Sequence, residues 1–166
     1  MNISNAISFL DEQVSDPSQG LPDELFYYIS RTTPLINVEL LIKDETGRML
    51  LSWRDDEYYG KGWHLPGGIV RFKETLEQRI QKVAETEIGT RVTFETTPLA
   101  IDQFIQPGQK NRGHFISFLY CCFLSSAFTP ENKGLNIGDK GFLMWHDCTP
   151  DNLLVCHRVY RKFLNP

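Results

Sequence analysis

Residues 67–89, with the sequence GGIVRFKETLEQRIQKVAETEIG, combine a glycine pair with the clearest helical pattern in the chain. Apolar residues recur at helical spacing through the second half of this stretch and predict one amphipathic helix over residues 75–88. Gly89 follows the last of them, as expected of a residue that ends a helix. The apolar face of the predicted helix consists of Leu76, Ile80, Val83, Ala84 and Ile88.

The same stretch brings carboxylates close to backbone that can turn toward a ligand. The two glycines can adopt conformations that other residues resist, so their carbonyl and amide groups can face a bound molecule. Glu74 precedes the predicted helix, and Glu85 and Glu87 lie in its last turns. Carboxylates beside exposed carbonyls are the oxygen ligands that Mg²⁺ prefers. The alternative is that these glutamates form only the solvated face of a helix.

Short apolar segments separated by turn residues lie on both sides of the predicted helix. This order indicates an α/β or α+β domain built on a mixed sheet. Residues 1–30 contain two short helical patterns and too few apolar residues for a core of their own, which predicts an N-terminal helical arm before a main domain over residues 31–166. The predicted strands cover residues 35–42, 48–54, 92–94, 99–105, 114–124 and 142–146, and a closing helix is expected over residues 152–164.

Composition narrows the class of protein. The chain has 166 residues, and its 17 Lys and Arg against 21 Asp and Glu give a net charge of −4. This length predicts one domain with a substantial core, and the acidic balance argues against binding nucleic acid or an anionic membrane. The longest apolar run, residues 115–124, is about half of the ~20 residues that a membrane span needs. Four cysteines without disulfide or metal spacing, and no evident targeting segment, predict a cytoplasmic protein.

The glycine–helix stretch resembles the Nudix box, G-x5-E-x7-R-E-U-x-E-E-x-G-U, in which U is an aliphatic residue. The resemblance extends from about residue 34 to residue 146. It implies the Nudix fold, a mixed β-sheet sandwiched between helices, with hydrolase activity on a nucleotide-linked small molecule and Mg²⁺ as cofactor, for which Mn²⁺ is a possible substitute. The positions that match in register are Gly68, Glu74, Ala84, Glu87 and Gly89.

Two of the three clustered glutamates of the ordinary box are replaced here, by Val83 and Thr86. Adjacent metal ions need several anionic ligands, so the thinned box implies a single Mg²⁺ on the Gly67 carbonyl and Glu87 rather than a multi-metal cluster. Glu85 lies two positions from Glu87 and is expected to face roughly the opposite, solvated side of the helix.

Lys82 stands at the arginine position of the box. A Glu74–Lys82 pair is therefore expected to brace the loop against the helix. Because lysine offers a point charge rather than a two-pronged fork, this brace should be looser than the usual one.

A wider resemblance is to the GDP-mannose mannosyl hydrolase branch of the family, whose box is thinned at the same two glutamates. Residues 31–35, RTTPL, lead into the first strand in the style of that branch, Glu39 falls on an acidic residue and Arg54 on a phosphate-contacting arginine. The resemblance implies that Glu39 positions the nucleotide or sugar and that Gly68 contacts the substrate. It also implies that Arg54 holds phosphate oxygens and shares the catalytic role with Glu87.

The loop before the last core strand carries a metal-binding glutamine and a basic histidine in that branch. Alignment places Asp139 and Lys140 near them, so Asp139 is expected to be a further Mg²⁺ ligand, whereas a lysine would need a large downward pKa shift to act as a base. Ile69 stands where the branch has a phosphate-binding arginine. Among the four histidines, His114 is the best site candidate, since it opens a core strand after a polar loop.

Two hypotheses from different classes remain open. The first is a Mg²⁺-dependent Nudix hydrolase of a nucleoside diphosphate derivative, a nucleotide sugar of the GDP-mannose type. The second is a decayed Nudix domain that binds nucleotides without hydrolysing them. Separately, the apolar residues of the N-terminal arm need a surface to cover, which suggests a homodimer in which the arm crosses to the partner.

Overall fold

The computed structural model of the protein describes residues 2–164; residue 1 of the predicted arm and residues 165–166 of the predicted main domain lie outside the described residues. Within residues 2–164 the chain forms one mixed sheet of eight strands with helices around it. The strands are β1 Leu35–Lys43, β2 Met49–Asp56, β3 Gly60–His64, β4 Gly67–Ile69, β5 Thr93–Phe94, β6 Ala100–Ile105, β7 His114–Phe123 and β8 Leu143–His146. The α-helices are α1 Ile3–Gln13, α2 Asp23–Ser30, α3 Leu76–Val83 and α4 Arg161–Leu164, with 3₁₀ segments at Pro17–Gln19 and Val155–Tyr160 and a π-helical turn at Ala84–Ile88.

Strand β1 is the centre of the sheet. It runs parallel to β7 along its whole length. On its other side it pairs antiparallel with β4 over residues 37–39 and with β2 over residues 42–43. The neighbour of β1 therefore changes partway along the strand, and Glu39 lies where the pairing with β4 ends.

Side chains of β1 alternate between two cores, one on each face of the sheet. Val38, Leu40 and Ile42 pack on the side of α3, whereas Leu41 packs with Tyr160 on the side of the C-terminal helical segment. Helices thus cover both faces of a mixed sheet, which confirms the predicted fold class. The odd-numbered positions of β1, Glu39 among them, face the C-terminal segment.

The predicted helix over residues 75–88 is confirmed, but it is not α-helical throughout. Thr75 and Gln78 form a capping box at its start, so two otherwise unpaired backbone N–H groups gain partners. The last five residues form the π-helical turn, and the Gly89 N–H donates to the Ala84 carbonyl at 3.0 Å. Gly89 has a φ of 82°, a left-handed conformation that favours glycine and ends the helix there.

The N-terminal arm contains two helices, as the sequence predicts. Helix α1 has no buried residue, and its apolar side chains Ile3, Ile7, Phe9 and Leu10 are exposed. Helix α2 ends at the buried Ser30, next to the main sheet. Across residues 2–164 there is no helix long and apolar enough to cross a membrane.

The predicted closing helix over residues 152–164 is only partly correct. The chain there forms a 3₁₀ segment over Val155–Tyr160 and a single α-helical turn over Arg161–Leu164. The Leu154 N–H donates to the Trp63 carbonyl, which extends the β3 edge before the helix begins. This strand-like contact delays the helix and directs His157 toward the sheet.

Candidate active site

A cavity of about 240 Å³ lies against the face of the sheet that the C-terminal segment covers. Its walls come from β1, β2, β4, β6, β7, the loop before β7 and the Val155–Tyr160 segment. The polar and charged side chains that line it are Asn37, Glu39, Arg54, Tyr59, Asp102, Gln103, Arg112, Ser117, Cys156, His157 and Tyr160.

The Gly67 peptide group is held outside the β-ladder. Between β1 and the β4 segment, the Leu40 N–H donates to the Pro66 carbonyl at 2.8 Å and the Val70 N–H donates to the Ile36 carbonyl at 2.9 Å. Antiparallel pairs alternate between bonded and non-bonded positions, so the Gly67–Glu39 pair is non-bonded and the N–H and carbonyl of Gly67 point away from β1. The N–H faces the Glu87 carboxylate and lowers its pKa, and the carbonyl faces the same edge. The predicted proximity of Gly67 and Glu87 is thus present in the structure.

Glu39 occupies the face of Gly67 where a side chain would stand. A Cβ at Gly67 would lie 2.9 Å from the carboxyl carbon of Glu39 and 2.8 Å from the Val38 carbonyl oxygen, so only glycine fits. This close approach brings the Glu39 carboxylate directly over the peptide that also contacts Glu87. Two carboxylates therefore converge on one backbone group.

One oxygen of Glu39 is fully engaged by the protein. Oε1 accepts a hydrogen bond from Asn37 Nδ2 at 2.8 Å and lies 3.3 Å from Nε2 of His157. Ser117 Oγ in turn donates to Asn37 Oδ1. These contacts leave Oε2 as the Glu39 oxygen that is directed toward Gly67.

Both ring nitrogens of His157 are occupied. The Leu65 N–H donates to Nδ1 at 2.9 Å, so Nδ1 carries a lone pair and the ring proton sits on Nε2, facing Glu39. Burial lowers the pKa of His157, but Glu39 and hydrogen bonds to Glu39 and Cys156 together raise it. The raised pKa favours a charged ring, but a charged ring would need a second proton on Nδ1, pointing directly at the Leu65 N–H. The hydrogen bond from Leu65 therefore holds the ring in its neutral form. His157 therefore orients Glu39 and has no free nitrogen for a water molecule.

Glu87 has an environment that disfavours its charge. Burial raises the pKa of Glu87 to about 7, and the Glu39 carboxylate adds to the rise, whereas Arg54 and the Gly67 N–H oppose it. A nearby cation would favour the ionised form of both carboxylates.

His64 is a structural histidine, as expected. Its Nδ1–H donates to the Leu65 carbonyl at 2.6 Å, on the residue whose N–H holds His157. Burial, with the Arg54 guanidinium nearby, lowers the pKa of His64 well below its usual value. The Leu65 peptide therefore links two neutral rings beneath the cavity.

Arg54 and Gly68 both line the cavity, where the family resemblance implies they should be. Arg54 Nε lies 3.6 Å from Asp56, a contact that leaves most of the guanidinium free. Gly68 also has a packing role: a Cβ there would come within 2.8 Å of Val83 and 3.3 Å of Arg79, so glycine lets α3 approach β4 closely.

The predicted Glu74–Lys82 brace is wrong. Glu74 Oε2 instead accepts hydrogen bonds from Nε and Nη2 of Arg79, both at 2.7 Å, whereas Lys82 is exposed. Helical side chains lean toward the N-terminus, so the first turn of α3 reaches back to the residue that precedes it, whereas position 82 lies too far along. A rigid two-pronged arginine therefore braces this loop after all.

Other predicted site residues lie apart from the cavity. Glu85 is exposed, in agreement with the expectation. Asp139 does not line the cavity; its Oδ2 accepts a hydrogen bond from the Asn136 N–H at 2.7 Å in an exposed loop. His114 also lies outside the cavity and contacts Gln103 at 2.9 Å. For Asp139, the length of the loop that contains it does not determine the direction of the side chain.

His157 is the site residue that sequence reasoning missed. It lies more than a hundred positions from Glu39, in a short 3₁₀ segment without a motif. The one available signal was its neighbourhood of apolar residues near the C-terminus, which indicates packing against the sheet but not against a carboxylate.

The donor set at Gly67 fits a hard divalent cation. Mg²⁺ takes oxygen ligands and keeps several waters, so one or two carboxylates with a carbonyl suffice. Oε2 of Glu39, the Glu87 carboxylate and the Gly67 carbonyl provide these groups. Within residues 2–164 no group of three or more His, Cys, Asp or Glu side chains could hold a metal, so a cation at Gly67 would depend on two carboxylates and one backbone carbonyl.

Family comparison agrees with the fold. The model of the NUDIX domain matches residues 33–155, and the chain belongs to the Nudix family. Nudix hydrolases act on nucleotide-linked small molecules and generally use a divalent metal such as Mg²⁺.

Individual relatives show how far the likeness reaches. The low-salt glycan biosynthesis protein Agl8 of Haloferax volcanii is 37% identical over 84 residues, 51% of this chain and 53% of that protein, so the chain spans about half the length of this curated relative. A MutT NUDIX hydrolase from Burkholderia pseudomallei has a TM-score of 0.61 at 25% identity, over 78% of this chain and 97% of its own. The MutT protein of Methanosarcina mazei Go1 has a TM-score of 0.59 at 17% identity, over 80% and 94%, and shows the fold alone.

Proposed function

We propose that the protein is a Mg²⁺-dependent hydrolase of a nucleoside diphosphate derivative, a nucleotide sugar of the GDP-mannose type. The observation that carries the proposal is the convergence of Glu39 and Glu87 on the Gly67 peptide, at the wall of the cavity that Glu39, Gly67 and Arg54 line. The name of the Haloferax volcanii relative, a glycan biosynthesis protein, supports a substrate that carries a sugar.

The Gly67 carbonyl, Glu87 and Oε2 of Glu39 would hold the cation. Bound there, it would offset negative charge on the phosphate oxygens as the bond breaks. Asp139, expected as a third protein ligand, is not included because its carboxylate is directed to Asn136.

Arg54 would hold phosphate oxygens through paired N–H groups, which match a phosphate better than a point charge does. His157 and Asn37 would keep Glu39 in one orientation through Oε1. This leaves Oε2 to face the ligand, while the neutral histidine adds no competing positive charge. The chain therefore fixes the position of the carboxylate before substrate arrives.

Hydrolysis adds one water across one bond, and two bonds are possible. Attack at the anomeric carbon releases free sugar and nucleoside diphosphate, whereas attack at phosphorus releases a sugar phosphate and a nucleoside monophosphate. We propose the first, as in the branch that this chain resembles. Turnover in ¹⁸O water followed by mass spectrometry tests it: the label is expected in the sugar, and label in a phosphate would contradict this choice.

The metal assignment has a matched pair of variants. With GDP-mannose and a panel of other nucleotide sugars, Glu87→Gln is expected to lower kcat/KM by at least about 100-fold, since metal stabilisation is worth several kcal/mol. Glu85→Gln removes the same charge two residues away on the exposed side and should retain activity. Turnover that is unchanged in Glu87→Gln, or no turnover of any panel member, would refute the proposal.

A second candidate function is nucleotide binding without hydrolysis. It is favoured by the two replaced box positions: Val83 is buried in the core, and the Thr86 hydroxyl donates to the Lys82 carbonyl at 2.7 Å. Neither side chain can add a ligand at the site. Calorimetric binding of GDP-mannose without product formation would favour this candidate, and robust turnover would exclude it.

A further inference from the structure

A second arginine enters the cavity from the loop between β6 and β7. Arg112 lines the cavity together with Arg54 and Tyr59. The surrounding residues 108–113, GQKNRG, form a polar, basic loop. This loop lies outside the Nudix box. Its contacts show that the structure holds Arg112 in one place.

The backbone of Arg112 adopts an uncommon conformation that three neighbours maintain. Its φ is 55°, in the left-handed region that residues other than glycine rarely adopt. Its N–H donates to Ser30 Oγ at 3.2 Å, and its carbonyl accepts from the Tyr59 hydroxyl at 2.9 Å. At the next residue, Gly113, a Cβ would lie 2.8 Å from the Gln109 carbonyl oxygen, so glycine is required. The N-terminal arm and the β2–β3 turn thus hold this strained residue.

The guanidinium of Arg112 is positioned but not neutralised. It lies 5.2 Å from the centre of the Tyr58 ring, and its Nε is buried without a hydrogen-bond partner among the described residues. Within residues 2–164 no carboxylate lies within 4 Å of it. By contrast, Arg79 on α3 has a carboxylate at 2.7 Å. A positioned guanidinium without an anionic partner is suited to bind an anion.

Arg112 and Arg54 lie near the same group. Burial raises the pKa of Tyr59 to about 12 and Cys156 adds to the rise, while both arginines oppose it. The Tyr59 hydroxyl therefore lies close enough to both guanidinium groups for their positive charges to lower its pKa. Two cations around one phenol, in a cavity that also contains carboxylates, can hold two phosphate groups of one ligand.

We propose that Arg112 binds one phosphate group of a nucleoside diphosphate while Arg54 binds the other. The inference rests on the proposed function, because it assumes a nucleotide in this cavity, but it does not require hydrolysis. It assigns selection of diphosphates over monophosphates to a loop outside the Nudix box. The arm takes part in this selection because Ser30 holds the backbone of Arg112.

Calorimetric titration with GDP and with GMP, both in Mg²⁺, tests the assignment. The variant Arg112→Asn removes the guanidinium, and asparagine tolerates the left-handed backbone, so the fold should persist; an unchanged urea midpoint checks this. The wild type is expected to bind GDP more tightly than GMP. Arg112→Asn should weaken GDP binding by about 10- to 100-fold, as for hydrogen bonds to a charged group, and should leave GMP binding nearly unchanged.

Lys110→Asn is the matched control, since Lys110 is in the same loop and is exposed outside the cavity. It removes the same charge and should not change GDP binding. Arg112→Lys should keep part of the affinity, because the charge remains without the fork. GDP affinity unchanged in Arg112→Asn, an equal loss in Lys110→Asn, or no preference of the wild type for GDP would overturn the inference. GDP binding that depends on Arg112, without turnover of nucleotide sugars, would support it and refute the proposed hydrolysis.

Discussion

The ionisation of Glu87 should be visible in the stability of the protein. Its pKa rises from 4.5 to about 7 on folding, with burial as the main cause and Glu39 adding to it. At about 1.4 kcal/mol per pH unit, this rise corresponds to roughly 3 kcal/mol. The folded state holds this proton more tightly than the unfolded state, so the stabilisation is present below pH 4.5 and is lost as the pH rises through 7.

The variant Glu87→Gln isolates this effect, because glutamine does not titrate. In EDTA, urea unfolding of the two proteins at pH 5, 6, 7 and 8 should show a growing difference. The free energy of unfolding of the variant, relative to that of the wild type, should rise with pH. Between pH 5 and pH 8 this difference should increase by about 2 to 3 kcal/mol. Taking the difference between the proteins removes the contributions of other titrating groups such as His64, whose lowered pKa acts in the opposite direction.

Adding Mg²⁺ should make the wild type more stable than the Glu87→Gln variant. A cation on the two carboxylates favours their ionised forms and stabilises the folded wild type by mass action, whereas the variant has lost one ligand. Glu85→Gln serves as the control and should follow the wild type in both buffers. A difference between Glu87→Gln and wild type that is constant from pH 5 to pH 8 would refute the reasoning, because Glu87 would then titrate normally.

Three further results are expected. Gly68→Ala should lower the free energy of unfolding by about 1–3 kcal/mol in urea denaturation, because the added methyl group would lie 2.8 Å from Val83. Gly108→Ala is the control, since a methyl group there has nothing within 4 Å. Equal effects of the two substitutions would contradict the packing argument. Arg79→Ala should lower the free energy of unfolding by about 1.5–3 kcal/mol, because the partly buried Glu74 carboxylate loses a charged hydrogen-bond partner, whereas Lys82→Ala should change it by less than about 0.5 kcal/mol. The reverse order would support the Glu74–Lys82 brace expected from the sequence. If the arm crosses to a partner, light scattering should give twice the 19.2 kDa chain mass, and Phe9→Glu should reduce it to one, whereas a monomeric mass for the intact chain would exclude the crossing.

Local spacing was enough to predict the elements that carry the box. The helix over residues 75–88 follows from its apolar period, and its end follows from Gly89, since a left-handed residue there is a local requirement. Six of the eight strands follow in the same way from apolar runs and turn residues, whereas β3 and β4 were not among the predicted strands. These features depend on neighbours within a few positions, which a sequence displays directly.

Partners that meet across the fold were predicted less well. The brace of Glu74 went to Arg79 rather than Lys82, because the direction of helical side chains matters more than motif register. Asp139 was placed by alignment, but a loop of uncertain length does not set the direction of a carboxylate. Both errors concern where a side chain points, not which element it belongs to.

The sequence by itself determined the family, the glycine pair and the one box carboxylate, Glu87, that remains beside it, because these lie within a single continuous stretch. Only the tertiary structure decided that Glu39 lies against Gly67, that His157 orients it, and that Arg112 faces the same cavity as Arg54. These residues come from separate strands, a loop and the C-terminal segment. Their meeting depends on strand register and on which face of β1 each side chain occupies, and neither is written in any local pattern.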